Sequence, residues 1–181
     1  MKKFFKKNVY RIILSAVMVA CCGVTALAND TSKELSEMSD YHQQLQREYQ
    51  IAVDKEDVEK QNLLIKEADE VLDKMIELAD KLPVTRSNPF GTTYYSYFSK
   101  SIWIQRDLIS LSIYPINLAW PSSQIETAWQ FIVERHSSDP QWDNEKIMRK
   151  QFWCHVNLAG KIKTPWNIEP EKTSINPLTC N

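Results

Sequence analysis

The chain reads as α+β: an N-terminal helical arm, folded as a hairpin, followed by a small disulfide-bonded α+β domain with antiparallel strands. Three observations predict this. No Gly or Pro interrupts residues 29–82, where helix formers dominate and apolar side chains recur at steps of three and four. After Pro83 the composition changes, and all six Trp lie there. Finally, Cys154 and Cys180 form a lone pair once an export signal is taken away.

That signal comes first in the chain. Lys2, Lys3, Lys6, Lys7 and Arg11 precede the apolar run Ile12–Val19, and the apolar character continues to Leu27. Ala26-Leu27-Ala28 supplies a small-x-small cleavage pattern, and polar Asn29-Asp30-Thr31 follows. This is the three-part secretory layout, so cleavage is expected after Ala28, leaving no membrane span. Met18-Val19-Ala20-Cys21 loosely matches a lipobox, and lipid attachment at Cys21 is the alternative fate. Cleavage at Ala28 leaves 17 basic against 23 acidic side chains, a net charge near −6. Such a balance argues against nucleic acid as a partner, since phosphate needs a basic face.

The arm, residues 29–82, carries 15 acidic and 7 basic residues. Leu35, Met38, His42, Leu45 and Tyr49 form one stripe, and Leu64, Ala68, Val71, Met75, Leu78 and Leu82 a second. The polar stretch Asp54–Asp57 breaks the phase between them, which predicts two antiparallel helices with a turn there. A single long helix is the alternative, along the weaker line Ile51, Val58, Ile65, Leu72. Thr31 or Ser32, with Glu34, would cap the start. The arm can pack on itself or on the domain, self-associate as a coiled coil, or be removed at the linker 83–91, where Arg86 offers a protease site.

In the domain, residues 92–181, residues 93–104 are rich in Tyr, Phe, Trp and Ile and read as a strand. Residues 108–114 alternate and read as a second, with Gln105-Arg106-Asp107 as the hairpin turn. Ser123-Gln124-Ile125-Glu126 reads as a capping box opening a helix to about His136, with Ile125, Trp129, Ile132 and Val133 buried. Residues 144–150 read as a short helix, residues 152–158 as a strand bearing Cys154 and His155, and the Pro-containing remainder as an irregular tail. In an oxidising compartment the two remaining cysteines are most simply bonded to each other.

Trp103-x-x-Arg106, Ser110-Leu111-Ser112, Trp129, Trp142-x-Asn144, Gln151-x-x-Cys154-His155, Trp166-Asn167-x-Glu169-Pro170 and the terminal Cys180-Asn181 together resemble a family of secreted bacterial domains of unknown function, number 2599. The resemblance covers about residues 94–181 and leaves the arm outside. It implies secretion, the disulfide and one compact domain, and no activity. Where the family pattern has an Arg after Glu-Pro, this chain has Glu171-Lys172, which puts any role of that Arg in doubt.

Candidate chemistry is sparse. His155 can act near neutral pH as an acid or base, with Glu169 and Arg106 as partners, or the three can form a structural polar network. The loop residues Trp120, Trp142 and Trp166, with Asn167, are candidates for contact with a glycan; the alternative is that the Trp side chains are core. No metal site is expected, because His42, His136 and His155 lack helical ligand spacing and the cysteines are paired. No cofactor is expected either, since a phosphate-cradling glycine loop is missing from the mature chain. The leading expectation is a secreted binding or interaction domain at the bacterial cell envelope or in the medium, partnered by cell-wall glycan or another protein, and not an enzyme. The alternative is a secreted hydrolase using the His/Glu/Arg cluster.

Overall fold

The computed structural model describes residues 24–82, 91–118, 120–158 and 164–180. The basic n-region, Cys21, and Pro83–Phe90 of the linker, with Arg86, lie outside the described residues, while Ala28 lies within the first helix. The elements in order are α1 (Val24–Asp54), α2 (Val58–Ala79), α3 (Tyr94–Tyr97), β1 (Phe98–Gln105), β2 (Ile109–Pro115), α4 (Ser122–His136), α5 (Glu145–Asn157) and β3 (Trp166–Ile168).

The arm is a helical hairpin. Glu56 takes a positive φ of 55° in the turn, and the Asp57 carboxylate accepts from the Lys60 N–H at 3.0 Å to cap α2. Leu35, His42 and Leu45 of the first stripe are buried, as are Leu64, Ala68, Met75 and Leu78 of the second. Ile51 and Val58, the start of the continuous-helix line, stay exposed. Thr31 and Ser32 lie inside α1 and do not cap it.

The arm shares its core with the rest of the chain. Leu35, Leu72, Met75 and Leu78 belong to one buried cluster with Trp129, Phe152, Trp153 and Trp166. The far end of the hairpin closes a smaller cluster in which Leu45, Ala52, Leu64 and Ala68 meet Leu178 of the tail. Charge follows the same geometry. Lys150 on α5 pairs with Asp69 and Asp73 on α2, at 2.8 and 2.7 Å, and Arg149 bridges Asp80 and Glu126. The acidic arm therefore finds its counter-ions on the more basic half of the chain.

The three strands form an antiparallel sheet in the order β1-β2-β3. One face holds Ser101, Trp103, Leu111, Ile113, Trp166 and Ile168; the other holds Ser110, Ser112 and Asn167. Cys154 and Cys180 stand at disulfide distance, with Cα atoms 5.6 Å apart, as expected.

Four local expectations are corrected. Residues 152–158 are not a strand: α5 runs unbroken through Asn157, so Cys154 and His155 are on its last turn. The start of the first predicted strand is the short α3, where Thr93 and Ser96 make a capping box. Glu126 does not serve a capping box on α4, whose N-cap is Pro121; its carboxylate turns inward to Arg149 and Trp153. The tail is not wholly irregular, because residues 166–168 add the third strand.

His42 is fully buried in the stripe of α1. Burial pulls its pKa from 6.5 down to about 4, offset in part by the Pro177 carbonyl. Above pH 6.5 neither the folded nor the unfolded chain holds this proton. Between pH 6.5 and 4 the unfolded chain takes it up and the folded chain does not, so stability falls with acid, by about 3 kcal/mol in all. Urea unfolding at pH 7 and pH 4 measures this; a His42→Leu variant should lose correspondingly less. Equal losses in variant and wild type would refute the assignment.

A polar cleft beside the third strand

Four chain segments converge on a cleft of about 250 Å³ whose lining includes Arg106, Ser110, His155, Asn167, Glu169 and Lys172. Arg106 stands in the β1–β2 turn, His155 on the last turn of α5, and Asn167 on β3; Glu169 follows that strand directly. Three of these positions are held by specific bonds. The Gln151 side chain, fully buried on α5, reads the backbone of Glu169 in both directions, donating to its carbonyl and accepting from its N–H at 2.9 Å each. The Ser112 hydroxyl donates to Asn167 Oδ1 at 2.9 Å. Asn144, in the left-handed region at φ 47°, donates from Nδ2 to the Lys172 carbonyl at 2.8 Å.

His155 Nε2 lies 3.1 Å from the Asn167 carbonyl, which can only accept, so this nitrogen carries a proton. The ring lies parallel to Trp166, with centroids 6.3 Å apart. Glu169 pairs with Lys172 at 3.2 Å, and the Ser110 hydroxyl lies 3.5 Å from its other oxygen. Lys172 is thus the cation beside Glu169. Arg106 is exposed, and its guanidinium makes no hydrogen bond or ion pair among the described residues. With Asp107 also on the rim, two cations and two carboxylates line the cleft.

The structure therefore brings Arg106, His155, Glu169 and Asn167 together and leaves the three Trp candidates elsewhere. Trp166 is 1% exposed and packs among Trp120, Phe152 and His155, so the exposed loop position expected for it is corrected: the residue is core because β3 turns it inward. Trp120 is half-buried, edge-on to Tyr97 and Phe98. Trp142 stacks on buried Trp129 with centroids 5.7 Å apart. Among the described residues no cluster of three or more His, Cys, Asp and Glu could hold a metal, and no helix is long and apolar enough to cross a membrane. Sequence reasoning missed Ser110 as a lining residue and gave Gln151 and Lys172 no role; the first alternates on β2, and the others appear only through tertiary pairing.

Residues 98–180 match the family model described as "Protein of unknown function (DUF2599)". No curated protein and no solved structure matches the chain significantly. The matched segment contains the whole sheet, α4 and α5, both cysteines and every cleft residue named above. The hairpin lies outside it, although the two share one core.

Proposed function

We propose that this is an exported bacterial binding protein acting at the cell envelope or in the medium, and that its cleft receives a polar ligand whose carboxylate is taken by Arg106. The observation that carries the reading is the Arg106 guanidinium, without a partner among the described residues, at a cleft lined by Asn167 and Ser110. A planar guanidinium presents paired donors that match a carboxylate. Glycan or peptide of the cell wall supplies carboxylates next to amides and hydroxyls, which the Asn and Ser side chains can meet. The hydrolase alternative through His155 has less support: Nε2 is engaged by a backbone carbonyl, and Glu169 is paired with Lys172 rather than with the imidazole.

Co-sedimentation with purified cell walls tests this reading. The protein is expected to pellet, and Arg106→Ala to lose roughly tenfold or more in affinity, the scale of a lost charge-assisted bond. Both should melt alike, because the Arg106 side chain makes no bond among the described residues. A wild-type protein that stays in the supernatant, or an Arg106→Ala protein that pellets as well, rejects it. Intact mass of protein recovered from the medium tests export: loss of Met1–Ala28 is expected, and lipid on Cys21 would show tethering instead.

A further inference from the structure

On the opposite face of the sheet from the cleft, a second set of polar side chains forms an ordered chain of bonds. His136, at the C-terminal end of α4, places Nδ1 2.7 Å from Asp139 Oδ2 and Nε2 2.6 Å from Ser101 Oγ on β1. Tyr94 donates its phenolic proton to the same Ser101 oxygen at 2.6 Å, and Trp103 Nε1 donates to Asp139 at 2.8 Å. The donors can be ordered in one direction. Asp139 is a carboxylate and only accepts, so Nδ1 of a neutral His136 carries the proton and Nε2 is left to accept from Ser101. Ser101 Oγ, having donated, accepts from Tyr94. Hydrogen bonds from His136 first and Trp103 second hold the Asp139 carboxyl below the usual carboxylate range.

A hydroxyl against an imidazole nitrogen, with the far nitrogen oriented by a carboxylate, is the arrangement that activates a serine nucleophile. We propose that Ser101, His136 and Asp139 are a nucleophile, base and orienting group for hydrolysis of small acyl esters, with the Tyr94 hydroxyl as the donor to the developing oxyanion. Ser101 forms a bond to the ester carbonyl carbon as its proton passes to His136 Nε2. Tyr94 transfers its hydrogen bond from Ser101 Oγ to the carbonyl oxygen as that atom takes negative charge. The adduct collapses, the C–O bond to the alcohol breaks, and the alcohol leaves with the proton from His136. Water then attacks the acyl-serine in the same way and frees the acid.

Two observations restrict the substrate. Ser101 is only 5% exposed and its Oγ is held by the Tyr94 hydroxyl, so only a small acyl group can reach it while that hydroxyl stays within reach of the carbonyl oxygen. Access is from the β1 edge of the sheet, where no further strand pairs among the described residues and Tyr95 beside Tyr94 is exposed. The proposal uses none of the cleft residues and stands apart from the binding reading.

The test treats the full-length protein with diisopropyl fluorophosphate and locates any adduct by peptide mass, with a serine esterase run in parallel. One adduct is expected, on the peptide carrying Ser101, together with hydrolysis of p-nitrophenyl acetate that Ser101→Ala abolishes. Asp139→Asn keeps the shape of the partly exposed orienting group and should slow labelling by about 100-fold or more at an unchanged melting temperature. Absence of an adduct on the wild-type protein when the control esterase is labelled, or hydrolysis that survives Ser101→Ala, overturns the proposal and leaves the four side chains as a structural staple.

Discussion

Replacing Glu126 by alanine is expected to lower the unfolding free energy by about 3–5 kcal/mol, as removal of one partner from a buried ion pair does. Glu126 is buried on α4, and its Oε2 accepts from Arg149 at 2.8 Å and from Trp153 Nε1 at 3.3 Å. The Arg149 side chain is itself 18% exposed, so its charge cannot simply return to water when the carboxylate goes. Its other partner, Asp80, is 58% exposed and screened, and holds the guanidinium weakly. Glu126→Gln should cost less, because the amide oxygen can still accept from Trp153. Urea unfolding of the two variants gives the comparison. A Glu126→Ala protein within about 1 kcal/mol of wild type would mean that Arg149 rehydrates, and would refute the buried-pair reading.

The second large effect belongs to the cysteines. Converting Cys154 and Cys180 to alanine is expected to cost about 3–4 kcal/mol, the chain-entropy value for a loop of this length. The sulfurs are 26 residues apart in sequence and both residues are buried, so reductant alone should act slowly on the folded protein. The loop that they close contains β3 and the lining residues His155, Asn167 and Glu169. Loosening it should therefore weaken the proposed ligand capture along with stability. Denaturation with and without reductant measures the first effect, and wall sedimentation the second. A double-alanine variant as stable as wild type would show that β3 and Gln151 hold the tail without the bridge.

How far the sequence speaks for the structure differs by element. The hairpin is legible because its stripes are local: Leu35, His42 and Leu45 face Leu64, Ala68 and Met75 across a turn marked by four charged residues. Helix α5 is not, because Ile147, Met148, Phe152, Trp153, Cys154 and Val156 are all buried. A helix covered on nearly every side loses its period, and its β-favouring residues then read as strand. Trp166 misleads for a related reason: neighbouring Pro165 suggests a loop, while pairing of Ile113 with Trp166 builds a strand. In the cleft, Arg106, His155 and Glu169 are suggested by residue type and by family resemblance. The clamp by Gln151 exists only once β3 lies beside α5, and the row Tyr94–Ser101–His136–Asp139, with bonds between positions up to 35 apart, only once β1 lies beside α4.

The C-terminal residues have a consequence for the order in which this molecule can become itself. As the ribosome releases the chain, the helical hairpin emerges first and can close on nearest neighbours alone. Its inward face must then wait: Lys150 reaches Asp69, and Asn157 reaches Ser39, only after most of the polypeptide has been made. Trp166, Leu178 and Cys180 follow all of these in sequence, yet each enters a buried cluster or closes the bridge. A product that stops before Leu178 and Cys180 would lack that closure and remain open to proteolysis. The bridge and the last buried side chains thus complete a core that the hairpin begins but cannot close.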